Sequence, residues 1–218
     1  MINRLFKDIH RARRAIITIY AVGVVGLTLP WTRELFQWLT PLTLVFTAWM
    51  LFSYQRPSFG VKGWIVLAAI FVAGMLAEII GVETGWVFGT YHYGAGLGPK
   101  LMGTPWVIGI NWAFLAYATS VVVYPLRIHV AGKIFLASVA MVLYDVVLEQ
   151  VAPYIDMWYW KGGVVPLQNY AAWFVLSLLF TGFLLLSGIK PKNSMAATLL
   201  LTQCAFFVML WITFNLFV

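Results

Sequence analysis

The sequence predicts an all-α fold, a bundle of about seven transmembrane helices forming one integral membrane domain over residues 1–218. Three observations lead there. Of the 218 residues, 62% are hydrophobic and 10% are charged, against about 25% charged in an average soluble domain. Apolar runs of about 20 residues, the length that crosses a bilayer core, recur along the whole chain. Basic residues collect in alternate gaps between those runs. A water-soluble fold of this size cannot hide so much apolar surface, which excludes a soluble enzyme. The 17% aromatic content and the single Cys204 exclude disorder and a disulfide scaffold. Cys204 lies in an apolar stretch and reads as a small core residue.

Seven spans are read in order: 15–31, 35–54, 64–84, 104–125, 134–152, 168–187 and 194–217. The first follows the basic segment Arg4, Lys7, Arg11, Arg13 and Arg14, as a secretory signal would. Leu29-Pro30-Trp31 offers no small-residue cleavage site, so the stretch is kept as a span. The gaps then alternate in charge. Those five residues fall on one side together with Arg56, Lys62, Arg127, Lys133, Lys190 and Lys192, and only Arg33, Lys100 and Lys161 fall on the other. Basic loops stay in the cytoplasm, so the amino terminus is expected inside and the carboxyl terminus outside a multi-pass cell-membrane protein. The net charge of +7 is then a signature of insertion, and nucleic acid is not expected as a partner.

The two longest loops, 85–103 and 153–167, both fall on the outer side and are rich in Gly, Trp and Tyr. Aromatics at headgroup depth are ordinary belt residues; their arrangement says more. Sliding the chain by 67 residues lays Glu78 on Asp145, and Tyr91, His92 and Tyr93 on Trp158, Tyr159 and Trp160. Gly96 falls on Gly163, Pro99 on Pro166 and Trp106 on Trp173. Each copy is an outward helix with an acid, an aromatic-Gly-Pro loop and an inward helix. We read residues 64–125 and 134–187 as a parallel duplication, whose halves turn about an axis along the membrane normal.

Of seven acidic residues, Asp8 and Glu34 sit at span ends and Asp156 in an outer loop. Glu78, Glu83, Asp145 and Glu149 lie within spans, where a charge costs a few kcal/mol (about 2.5–3.5 on the insertion scale). Gly74, Glu78, Gly81 and Gly85 share one helical face, and small residues mark helix contacts in membranes, so Glu78 should point into the bundle. Ser138, Met141, Asp145 and Glu149 also share a face. Asp145 and Glu149 form an unfavourable like-charge pair if both ionise, and a carboxyl removed from water favours its neutral form. At least one of these groups should therefore carry a proton. The plainer alternative is that the acids bond Asn111, Asn169, Tyr93 or indole groups and lock the bundle. Glu83, nearer the outer end and off the Glu78 face, reads as structural or gating.

His92 reads as a surface histidine. No His/Cys/Asp/Glu set has metal-ligand spacing, and Gly94-x-Gly96-x-Gly98 lacks the strand–helix setting of a phosphate loop. No cofactor is expected.

The run Glu78-x-x-Gly81-x-x-Thr84-Gly85-x-x-Phe88-Gly89-x-Tyr91-x-Tyr93 resembles the signature of the membrane carotenoid biosynthesis proteins that include the carotenoid hydratases. Asp145, Trp158, Trp160, Pro166, Asn169 and Trp173 match the same pattern more loosely. Glu149-Gln150 stands where the pattern has Asp-Pro, and Val165 stands where it has glycine before Pro166. The resemblance covers about residues 64–187 and implies a membrane-dissolved carotenoid and water as partners, within the lipid bilayer.

It also implies a chemistry: addition of water to the terminal C1–C2 double bond of an acyclic end group. An alkene is a very weak base, so protonation needs a neutral acid in a dry site. On this reading Asp145 donates the proton, Glu78 holds water or charge, and Glu149 tunes the pair, with the first two roles exchangeable. Tyr91, Tyr93, Trp158 and Trp160 would line the end-group pocket with Phe88, Trp112 and Trp173, while Asn111 and Asn169 anchor carboxyls or water. For the aromatics the alternative is an interfacial belt.

Three other classes compete. A lycopene-type cyclase shares the protonation step but captures the cation with an internal double bond. A transporter would use the acids as a proton relay. A retinal photoreceptor needs a lysine in its last span, and residues 194–217 contain none.

Overall fold

Caps and breaks in the sequence set the helix ends. In the computed structural model, which describes residues 8–217, the Asp8 carboxylate accepts the His10 backbone N–H at 2.9 Å and opens α1 (Ile9–Thr28). Pro30 ends it, because a proline disfavours helical geometry in the residue before it. The bundle continues with α2 (Arg33–Ser53), α3 (Val61–Thr84), α4 (Val107–Val123), α5 (Val130–Glu149), α6 (Leu167–Leu186) and α7 (Ala196–Phe217). α3 stops at Gly85, whose left-handed backbone (φ 70°) suits a residue without a Cβ.

The chain is a polytopic membrane helix bundle. α2, α3, α5, α6 and α7 are each long and apolar enough to cross a membrane. α1 carries Arg11, Arg13 and Arg14 near its start, and α4 has 17 residues, at the short end for a span. α4 is the hub, packed on α2, α3, α5, α6 and α7 and buried without a break from Trp112 to Val121. Glycine permits its closest approach. A Cβ on Gly74 of α3 would stand 2.7 Å from Trp112 Cδ1 of α4, so only glycine fits there without shifting that indole.

At one end the two long loops meet. β1 (Tyr91–Tyr93) pairs antiparallel with β4 (Trp158–Trp160), Tyr91 opposite Trp160, His92 opposite Tyr159 and Tyr93 opposite Trp158. A short 3₁₀ turn (Ala152–Ile155) leads from α5 into β4. β2 (Lys100–Leu101) and β3 (Thr104–Pro105) form a small hairpin before α4. Hence α4 starts at Val107 and not at 104 as the hydropathy suggests. Its neighbours also shift, α1 to 9–28 and α5 to 130–149, because hydropathy locates the apolar centre and not the capped end.

Lys100 and Lys161 belong to this end, as does Arg33, whose guanidinium lies 5.5 Å over the Phe214 ring. At the opposite end Arg56 N–H bonds the Lys192 carbonyl at 2.8 Å, and Arg13 Nη2 bonds the Ser194 carbonyl at 2.6 Å. The described basic residues therefore divide between the two ends as the alternation requires. Arg4 and Lys7 lie outside the described residues.

The basic end is clasped by Gln55. Its Oε1 accepts from the Tyr117 hydroxyl and the Lys192 N–H, and its Nε2 donates to the Lys190 carbonyl at 3.0 Å. Gln55→Ala removes the partner of the Lys192 N–H and the Lys190 carbonyl and leaves the Tyr117 hydroxyl only the Asn193 amide, at a position that is 3% exposed. The expected loss is about 1–3 kcal/mol, read as a lower unfolding midpoint of the detergent-solubilised protein. An unchanged midpoint would show the clasp to be dispensable.

Candidate active site

The two intramembrane faces read from the sequence turn inward. Gly74, Glu78 and Gly81 are buried on α3, and Ser138, Met141, Asp145 and Glu149 on α5. Between α3, α4, α5 and α6, under the β1–β4 ribbon, lies a cavity of about 20 Å³, room for one water. Its wall contains Glu78, Phe88, Tyr91, Tyr93, Asn111, Trp112, Glu149, Trp158, Trp160, Asn169 and Trp173. The structure thus gathers every residue expected at the pocket except Asp145. Ile108 and Leu148 complete the wall; ordinary apolar helix residues gave no signal for them.

The ribbon aims alternate side chains downward, since successive strand residues point to opposite faces. Tyr91 and Tyr93 hydroxyls donate to Glu78 Oε2 at 2.6 and 2.7 Å, and Trp112 Nε1 donates to Glu78 Oε1 at 3.0 Å. Across the cavity Trp158 Nε1 and Trp160 Nε1 donate to Glu149 Oε2 at 3.0 and 2.8 Å. Asn169 Nδ2 reaches Glu149 Oε1 at 3.2 Å and Asp145 Oδ2 at 2.9 Å. Burial, and then the Glu78 carboxyl, hold the Tyr91 and Tyr93 phenols above their ordinary range. Both remain donors.

Asp145 is fully buried one turn behind Glu149, and its Oδ1 has no hydrogen-bond partner. The acids that face each other across the cavity are therefore Glu78 and Glu149, not Glu78 and Asp145. The reason is reach. A tyrosine hydroxyl sits at the tip of its ring and an indole N–H on its flank. Tyr91 and Tyr93 therefore meet an acid 13 and 15 residues back, while Trp158 and Trp160 meet one 9 and 11 back. That offset is about one helical turn.

Rings close the remaining walls. Trp112 and Trp173 stack with centroids 4.1 Å apart, and Tyr91 and Trp160 lie 5.0 Å apart. On the opposite, solvent face of the ribbon His92 stacks on Tyr159, and Asp156 accepts from Tyr159 and from the Ala95 N–H. Glu83 is exposed outside the cavity. Among the described residues no three His, Cys, Asp or Glu side chains gather as metal ligands.

The membrane bundle thus encloses buried carboxyls under an aromatic roof. The chain belongs to the carotenoid biosynthesis protein family, whose profile matches residues 39–218. A curated relative, bisanhydrobacterioruberin hydratase of Haloarcula japonica, is 31% identical over 168 residues, 72% of this chain and 57% of the relative. The chain thus spans somewhat over half of that protein's length. No solved structure matches.

Proposed function

We propose that this protein is a carotenoid hydratase of the cell membrane, its amino terminus cytoplasmic, adding water to the terminal C1–C2 double bond of an acyclic end group without a cofactor. One observation carries the reading: a water-sized cavity walled by aromatic faces, with a carboxyl on either side. A hydratase needs that water beside the acid, whereas a cyclase must exclude it. The hydratase relative supports the same chemistry.

Asp145 and Glu149 share one amide donor and have no cation beside them, so together they hold one proton in the resting site. The unpartnered Asp145 Oδ1 marks where a second charge would be least tolerable. Glu149, which faces the cavity, passes the proton to C2. The electron pair of the double bond forms the new C–H bond and leaves a tertiary cation at C1. Aromatic faces stabilise that cation by about 0.5–2 kcal/mol each.

Glu78 accepts three hydrogen bonds, as Glu149 does, but unlike Glu149 it shares no donor with a second carboxyl, so it remains the anion. It orients the water, which attacks C1 and gives its proton to Glu78. Return of that proton through water to Glu149 closes the cycle, with one water consumed. The end group enters as the ring walls part, since the resting cavity has room for no more than one water.

Co-expression with a lycopene or γ-carotene pathway tests the reaction. The expected pigment is heavier by the mass of one water per reacted end. A product of unchanged mass and altered absorbance would mean cyclisation, and unchanged pigment would remove the assignment.

A further inference from the structure

We propose that a second, separate cavity between α1, α2 and α7 binds an uncharged linear isoprenoid that carries a hydroxyl group. This cavity measures about 340 Å³, far more than the acid site, and shares no lining residue with it. Tyr144 turns toward it, while the adjacent Asp145 turns to Glu149 and Asn169. Thr18, Tyr20, Gly23, Leu27 and Phe36 contribute to its wall. They precede residue 39, where the family match begins, so the cavity is built partly from segments outside the family profile.

Three features define the occupant. Ile19, Val22 and Leu39 line the cavity yet are 38%, 51% and 39% exposed, so it opens sideways into hydrocarbon and takes its ligand from the membrane. Among the described residues no charged side chain lines it, and a charge there would lack a partner, so the ligand is neutral. Its inner end is polar. Gln203, 1% exposed, donates Nε2–H to the Tyr20 hydroxyl at 2.8 Å and accepts the Tyr144 hydroxyl at 3.3 Å. Tyr20 in turn donates to Thr47 at 3.0 Å, and Thr47 to the Thr43 carbonyl at 2.7 Å.

A primary amide has two N–H donors, and Tyr20 takes one from Gln203. Thr40 and Thr43 donate to their own helix at 3.0 Å and keep acceptor capacity toward the cavity. One donor at the buried Gln203 and acceptors on the partly exposed Thr40 and Thr43 of the same apolar slot fit an alcohol, which donates and accepts once each. An apolar pocket with a few convergent polar groups is the usual form of a small-molecule site, and membership of an isoprenoid-modifying family points to the apolar part of the ligand.

The test is photolabelling of the full chain in phosphatidylcholine nanodiscs with a linear isoprenoid alcohol bearing a diazirine, beside the matching hydrocarbon. Adducts of the alcohol are expected on the peptides of α1 and α7 that line the cavity. Gln203→Leu should lower them about tenfold, as expected for one lost hydrogen bond in an apolar site, and leave the weaker hydrocarbon labelling unchanged. Ile19→Trp, at the exposed mouth where core packing is untouched, should block both probes. Circular dichroism and elution volume identify a variant that fails to fold, in which case Ile19→Trp alone decides.

Labelling spread evenly over lipid-facing helices, labelling confined to the acid cavity, or alcohol adducts unchanged in the folded variants would overturn the site. Displacement of the alcohol by added phosphatidylglycerol, but not by unlabelled isoprenoid alcohol, would assign the cavity to lipid tails instead. The outcome does not depend on hydration at Glu78 and Glu149.

Discussion

Glu149→Gln is expected to abolish hydration, lowering turnover by about 10²–10⁴-fold, the range for loss of a positioned general acid. The substitution is nearly isosteric. A glutamine carbonyl still accepts from the indoles that now bond Glu149 Oε2, and its NH₂ can donate to Asn169 Oδ1 once that amide, which now donates to Glu149 Oε1, flips. The protein should therefore fold with its roof in place, and the measured loss belongs to the proton.

Asp145→Asn is the instructive companion. Asp145 lies behind Glu149 and outside the cavity wall, so in the proposed mechanism it acts by holding the shared proton. Its replacement should leave measurable activity and shift the pH dependence of turnover. Hydration in co-expressing cells, measured by chromatography, checks both. Full product from Glu149→Gln would remove Glu149 from the reaction. Full product from both Asp145→Asn and Glu78→Gln would remove those two acids from the reaction.

The helices were legible because hydrocarbon is a demanding solvent. A backbone crossing it must satisfy its own hydrogen bonds, so apolar runs near the bilayer thickness have one outcome. The inward direction of Glu78 was legible for a related reason, since Gly74 marks where Trp112 of α4 approaches and Gly81 where Phe88 and Tyr91 close over α3. The ribbon was not. Tyr91–Tyr93 and Trp158–Trp160 are three residues each, too short for a periodic signal, and aromatics near a membrane surface resemble a belt.

The repeat held the missing information in another form. Under the 67-residue correspondence the contact of Tyr91 with Trp160 maps onto that of Trp158 with Tyr93, and His92 meets its counterpart Tyr159. Two copies related by a two-fold axis through that central pair would make this antiparallel register. The observed register pairs Tyr91 with Trp160, His92 with Tyr159 and Tyr93 with Trp158. The same correspondence misled about the acids, because it matches backbone positions. Hydrogen bonds depend on side-chain reach, and exchanging tyrosines for tryptophans in the second copy moves the bonded acid from Asp145 to Glu149.

Glu78→Gln separates protonation from capture. Glu78 binds two phenols and an indole through both carboxylate oxygens, an arrangement that stabilises an anion and orients water but offers no proton to an alkene. Its removal should cost about 10²–10³-fold in hydrated product, comparable to losing an electrostatic stabiliser of a developing charge. Protonation by Glu149 should persist. In deuterated water the variant is then expected to return substrate carrying deuterium at C2 or the terminal methyl groups, because the uncaptured cation loses a proton back to the pocket. Glu149→Gln should return unlabelled substrate. Mass spectrometry of recovered pigment reads both. Deuterium incorporation by Glu149→Gln but not by Glu78→Gln would exchange the two roles. Its absence from both would mean that proton delivery and water attack cannot be uncoupled, and that the cation never outlives the geometry that makes it.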